Sequence, residues 1–140
     1  MQVVTQDLDM ESGNLNKAIA EFCGEAVQRE LRSKAPQRPR PGAVLMTSPG
    51  LLSTKNIIHM VVGSWNKQYL QTCVEDSASF DSLSIPAVGT GGLGLSPEDS
   101  AEVVFEEIVA FLNEPSQFVH EVRVVVFDYF KFGAFLNELD

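Results

Sequence analysis

The sequence predicts an α/β layered domain with a largely buried sheet, and three observations carry that prediction. Segments with apolar residues at three- and four-residue spacing alternate along the chain with short β-branched runs. Turn and helix-start signals punctuate them at Ser12-Gly13-Asn14, Ser48-Pro49-Gly50 and Ser96-Pro97. Residues 122–127 form a near-continuous apolar run, the pattern of a strand covered on both faces. Such alternation closes most economically as helices layered on a sheet.

Taken in order, the first helix is expected over 14–33, where Leu15, Ile19, Phe22, Cys23 and Ala26 fall on one face. Pro36, Pro39 and Pro41 remove backbone donors and end it in an exposed loop. Two strands follow at 43–47 and 56–62, joined through the turn at 48–50. Trp65, Tyr69, Leu70, Cys73 and Val74 mark a second helix, and 82–88 a third strand. Ser96 as N-cap, Pro97 in the first turn and Asp99 three residues after the cap open a third helix. Its apolar stripe is Ala101, Val104, Phe105, Ile108, Phe111 and Leu112, and Pro115 is its expected stop. The strand at 122–127 and a terminal helix over 129–139 complete the chain.

At 140 residues, with 44% hydrophobic and 21% charged side chains, the chain reads as one domain spanning 1–140. That composition excludes disordered, collagen-like and disulfide-scaffold classes. No apolar run approaches the roughly 20 residues of a bilayer span, and residues 1–11 are polar and acidic, so neither a membrane segment nor a secretory leader is expected. A net charge of −9 argues against direct binding of nucleic acid, whose phosphates need a basic surface. Arg29, Arg32, Lys34, Arg38 and Arg40 cluster locally and read first as a solvated helix end and loop. Cys23 and Cys73, both in apolar surroundings, read as reduced thiols.

Chemistry concentrates in the third strand, its glycine loop and the capped helix. Gly89, Gly91, Gly92 and Gly94 fall within six residues, so successive amides can converge on one anion, and the helix start adds donors and partial positive charge. A diphosphate is the first ligand to consider, with a tight turn as the structural alternative. A P-loop is excluded, because Leu95 and Ser96 follow Gly94 where lysine and a hydroxyl are needed. The Gly-x-Gly-x-x-Gly letters of a dinucleotide site are matched. However, the loop follows the third strand and not the first, and the next strand ends only at Asp128.

The run Ser84-Ile85-Pro86-Ala87-Val88-Gly89-Thr90-Gly91-Gly92-Leu93-Gly94 before Ser96-Pro97 resembles the second ADP-ribose-binding loop of the macrodomain family. Ser12-Gly13-Asn14-Leu15-Asn16-Lys17-Ala18-Ile19 resembles that family's first loop and helix. The 42–50 segment resembles its strand with a Thr-x-Gly-Gly-type turn, Lys55-Asn56-Ile57-Ile58-His59 its Lys-x-Val-Ile-His strand, and 124–128 its last strand. The flavour is nearest to macrodomains of large poly-ADP-ribose-polymerase-type proteins. The resemblance implies a three-layer α/β/α fold with a mostly buried mixed sheet. It also implies ADP-ribose, free or on modified proteins, as the ligand and partner, without a cofactor, in the cytoplasm or nucleus.

Carried over by residue, Val88, Gly89, Thr90, Gly91, Gly92, Leu93 and Gly94 hold the diphosphate, Leu93 standing where the family often has an aromatic. Gly13, Asn14 and Leu15 form the other wall; Phe127 and Asp128 stand at the adenosine end; Ser48, Pro49 and Gly50 are second-tier candidates. The family's chain usually begins with further strands, one bearing an adenine-selecting Asp. Here Val3-Val4-Thr5-Gln6 stands where an asparagine-rich segment belongs, and the Asp-bearing strand has no counterpart. The first loop holds one glycine only, which disfavours hydrolysis; Glu11 and Asn14 are the groups to test for it. The favoured reading is a binding module. An ADP-ribosyl hydrolase and a degenerate domain serving protein contacts are the alternatives.

Other candidates read as structural. His59, inside an apolar strand, is expected to be a satisfied core histidine, and His120 to lie near the surface. Trp65, Tyr69 and Phe80 read as core aromatics, Glu106-Glu107 as a solvated helix face, and no His, Cys and carboxylate spacing fits a metal site.

Overall fold

The computed structural model describes residues 1–35, 37–77, 79–114 and 118–140. They form two compact units, Met1–Ser64 and Trp65–Asp140. The expected end of a helix at Pro115, and Pro36 in the proline-rich loop, lie outside the described residues.

The first unit is built on a three-stranded mixed sheet. Strand β1 (Gln2–Thr5) runs parallel to β3 (Ile57–Val62), and β2 (Val44–Thr47) runs antiparallel to β3 on its other side. Every residue of β3 is buried, as a central strand with both faces covered requires. The sequence reading missed β1, whose four residues pair with a strand more than fifty positions away.

The helix expected over 14–33 is two helices, α1 (Asn14–Cys23) and α2 (Glu25–Lys34). Between them Gly24 adopts φ 88°, ψ 159°, a conformation open essentially to glycine alone, so the helix cannot run through it. The bend lets both helices pack inward. Cys23, Val27 and Leu31 join Val4, Leu8, Met10, Ile57 and Val61 in one apolar core.

In the second unit α3 (Lys67–Glu75) is capped by the Asn66 side chain, which accepts from the Gln68 amide at 3.0 Å. Strand β4 (Ser82–Pro86) pairs parallel with β5 (Glu121–Val125). Helix α4 (Pro97–Leu112) begins as its cap signals require, with the Ser96 hydroxyl accepting from the Asp99 amide at 3.0 Å. Its stripe of Ala101, Val104, Ile108 and Phe111 is buried. Helix α5 (Tyr129–Leu139) packs on α4, Phe135 meeting Phe105 edge to face at 5.9 Å.

One expectation fails here. Strand β5 is not covered on both faces: its residues alternate between exposed and half-buried, and Val125 is 55% exposed. The run at 122–127 is apolar apart from Arg123, and Glu121 and Arg123 alternate outward with Val125, so one face of the strand is exposed.

Trp65, Tyr69 and Phe80 are half-buried, and Cys23 and Cys73 are buried free thiols. Burial pushes the Cys73 thiol up to about 12 and raises Cys23 in the same direction. No helix among the described residues is long and apolar enough to cross a membrane.

Candidate functional site

The glycine loop grows out of the C-terminal end of β4. Its base is fixed: Val88 and Gly89 are buried, and the wholly buried Ser100 of α4 donates its hydroxyl to the Val88 carbonyl at 2.6 Å. The loop then folds on itself. Thr90 donates its hydroxyl to Ala87 O at 2.9 Å, Gly94 its amide to Gly91 O at 3.0 Å, and Leu95 its amide to Gly89 O at 2.9 Å. A side chain at Gly89 would run into Leu95, so this position closes the turn.

The loop's crown is left open. The amides of Gly91, Gly92 and Leu93 donate to no atom among the described residues, and a Cβ placed at Gly91, Gly92 or Gly94 meets nothing within 4 Å. Three neighbouring unpaired N–H groups beside open space can receive an anion's oxygens. The start of α4 adds less than the sequence implied. Ser96 already satisfies one first-turn amide, Pro97 lacks one, and Glu98 and Asp99 set two carboxylates against the helix dipole.

Phe127 and Asp128 belong to the same end of this unit. Pro86 of β4 stands opposite Val125 of β5 in a parallel pair, so the chain leaves both strands on one side. Ligands of parallel sheets sit at that carboxyl end. Phe127 is 70% exposed, with the Lys131 ammonium over one face of its ring, 5.9 Å from the centroid. Asp128 is committed to capping α5, accepting from the Phe130 amide at 3.0 Å.

In the first unit Gly13 is the N-cap of α1, at φ 89°, ψ 157°, and supplies no side-chain cap. The first turn of α1 holds no acidic residue, and Lys17 follows one turn on, its amide bonded to Gly13 O at 3.0 Å. The amides of Asn14 and Leu15 therefore form an uncapped helix start without a competing carboxylate. The loop leading to it is well ordered by its own bonds. Leu8 and Met10 are buried, Gln28 clamps both by accepting from Met10 N at 2.8 Å and donating to Leu8 O at 2.7 Å, and Asp7 and Asp9 accept from amides two residues on. The Thr5 hydroxyl bonded to Asp7 holds that carboxyl below its ordinary range. Asn16, nearly buried, donates to Val3 O at 2.7 Å and locks α1 to β1.

Ser48, Pro49 and Gly50 are not brought to this wall. Strand β2 is antiparallel, so its last residue Thr47 stands opposite Ile57, the first residue of β3, while the 6–13 loop leaves β1 beside Val62, the last residue of β3. The two segments sit at opposite ends of the sheet. The turn is bound to the helix bend instead. Glu30 accepts from the Ser48 amide at 3.0 Å and its hydroxyl at 2.5 Å, which together with Lys34 holds the Glu30 carboxyl below its usual range. Leu51 donates to Cys23 O at 3.0 Å, and a Cβ on Gly50 would strike that same carbonyl.

His59 is the satisfied core residue its surroundings implied. Its Nδ1 lies 2.7 Å from the Gln2 amide nitrogen and its Nε2 2.8 Å from the Thr47 hydroxyl, all three groups buried. Burial lowers its pKa from 6.5 to about 4, so the ring is neutral at pH 7. His120 is exposed. A cleft of about 650 Å³ runs along α1 and α2, lined by Met10, Glu11, Lys17, Ala20, Gly24 and Gln28 among others, and includes none of the residues 88–94.

Ser100, Asn16 and Gln28 were not found from sequence. Ser100 and Asn16 carried a weak signal, as small polar groups on helical faces that are otherwise apolar.

Comparison with known proteins decides the family. The Macro domain family model matches residues 4–104. The chain belongs to the macrodomain family. It is 34% identical over 116 residues to the human protein mono-ADP-ribosyltransferase PARP14, and 28% identical over 127 residues to mouse PARP9. These alignments cover 81% and 85% of this chain but only 6% and 14% of those much longer relatives. Among solved structures, an Oceanobacillus iheyensis macrodomain superposes with a TM-score of 0.82 at 23% identity, covering 98% of this chain and 82% of that one. A Trypanosoma brucei macrodomain in complex with ADP-ribose gives 0.81 at 17% identity, over 99% and 62%. This macrodomain thus adopts the family's α/β fold.

Proposed function

We propose that this macrodomain is a binding module for ADP-ribose, free or attached to protein, acting without catalysis. The observation that carries the reading is the loop crown, where the amides of Gly91, Gly92 and Leu93 are unpaired beside open space at the carboxyl end of two parallel strands. A diphosphate supplies the acceptor oxygens such amides need, and exposed Phe127 offers a ring for an adenine face. Peptide donors explain how a chain of net charge −9 takes an anion: the attraction is local and directional, and no basic patch is required. The 88–94 segment carries no titratable side chain, which favours recognition over hydrolysis. Membership of the family and the ADP-ribose complex of the Trypanosoma brucei relative support the choice of ligand.

Calorimetry with ADP-ribose, ADP and NAD tests it. ADP-ribose is expected to bind more tightly than NAD, and Gly91→Val, whose side chain enters open space, is expected to fold normally and lose at least about tenfold in affinity, the scale of two lost hydrogen bonds. Absence of heat with the wild type, or unchanged affinity of Gly91→Val, overturns the reading. Release of ADP-ribose from a mono-ADP-ribosylated protein would replace it with the hydrolase.

A further inference from the structure

Given the diphosphate reading of the glycine loop, on which this rests, we propose that the site selects by ligand charge, with Glu98 and Asp99 as the selecting residues. It takes a diphosphate esterified at both ends and turns away phosphates with a free terminus. The chain carries no lysine or arginine between positions 68 and 122, a stretch with the glycine loop near its middle. The unit Trp65–Asp140 holds three basic residues, and each already faces a carboxylate. Lys67 lies 3.8 Å from Glu106, Arg123 2.6 Å from Glu121, and Lys131 3.8 Å from Asp128. The donors at the loop crown are the neutral amides of Gly91, Gly92 and Leu93. Directly after the loop, Glu98 and Asp99 stand exposed in the first turn of α4, and among the described residues neither forms an ion pair.

Attraction and repulsion at such a site have different ranges. Peptide N–H groups hold an anion only at hydrogen-bond distance, whereas carboxylates act on it through solvent over a Debye length. An extra charge on the ligand therefore adds repulsion without adding a donor. A diphosphate esterified at both ends, as in ADP-ribose, carries about two negative charges at pH 7, and a free terminal phosphate, as in ADP or ATP, ionises again with a pKa of about 6. ADP-ribose thus meets the least repulsion of the three and ATP the most. Carboxylates in a first helical turn ordinarily serve the helix dipole. That role alone predicts no ordering of ligands by charge, so the two are separable by measurement.

The test is calorimetry of the wild-type chain with ADP-ribose, ADP and ATP in sodium chloride, without divalent cations. Raising the salt from about 10 to about 150 mM shortens the Debye length from about 30 to about 8 Å. Affinity is expected to rise with salt, by about twofold for ADP-ribose and progressively more for ADP and ATP, the reverse of the fall that basic phosphate sites show. The double variant E98Q/D99N keeps the Ser96 cap, which uses the backbone amide of residue 99. It is expected to gain about threefold or more for ADP and ATP relative to ADP-ribose, with a flatter salt dependence. Circular dichroism melts establish that it is folded. Affinity that falls or stays level with salt, or a variant with the wild-type preference among the three ligands, overturns the selection and leaves ADP-ribose binding standing. Absence of ADP-ribose binding at every salt concentration overturns the reading of the loop and the selection with it.

Discussion

Lowering the pH from 7 towards 4 should destabilise this protein through one buried ring. His59 is fully buried between Gln2 and Thr47, and its pKa falls from 6.5 to about 4. Desolvation is the main cause, with the positive charges of the chain N-terminus and Lys34 adding to it and Glu30 opposing. Because the folded value lies below the unfolded one, the unfolded chain takes up a proton first as pH falls through 6.5. Stability is whole above that point and declines until the folded ring titrates near 4. At 1.36 kcal/mol per unit the loss amounts to about 3 kcal/mol, a large part of a marginal domain's stability. The carboxylates do not mimic this loss between pH 5 and 6.5. Asp7 and Glu30, whose values are lowered, give up stability only further down, and Glu107, raised by burial, gains on acidification. Urea unfolding of the wild type and of His59→Gln at intervals from pH 7 to 4.5 reads the effect directly. The wild type should lose stability progressively while the variant's profile stays nearly flat to pH 5. Superimposable slopes would refute the assignment of the loss to His59.

Three further outcomes are expected. Gly50→Ala, forced to φ 57° and driven into the Cys23 carbonyl and the Val27 side chain, should lower stability by about 2–4 kcal/mol in urea unfolding, yet leave ADP-ribose affinity unchanged once folded. Ser100→Ala strands the Val88 carbonyl and should cost about 1–3 kcal/mol, together with weaker calorimetric binding, because the base of the glycine loop loses its tie to α4. Gly24→Ala should cost about 1–3 kcal/mol by thermal melting, although α1 and α2 read in sequence as one helix.

Local signals made much of this molecule legible. Ser96, Pro97 and Asp99 locate the start of α4 to the residue because caps act within one turn, and α5 occupies the expected 129–139. The glycine loop stood out because four glycines in six residues are rarely needed for folding alone. What escaped depends on partners distant in the chain. Strand β1 is recognisable only beside β3, and the break at Gly24 hides inside an unbroken apolar period. The turn at 48–50 is a second-tier candidate by resemblance alone, and the antiparallel direction of β2 carries it to the end of the sheet away from the 6–13 loop. The exposed face of β5 is signalled only by Glu121 and Arg123, a weak cue inside a run that is otherwise apolar.

The placement of the cysteines makes the protein its own reporter. Cys23 lies in the first unit and Cys73 in the second, each buried, with the reactive thiolate suppressed by its surroundings. A colourless thiol reagent that colours on reaction will therefore count openings of each unit without any label being introduced. A single exponential would mean that the two halves breathe as one, and two phases that each keeps its own time.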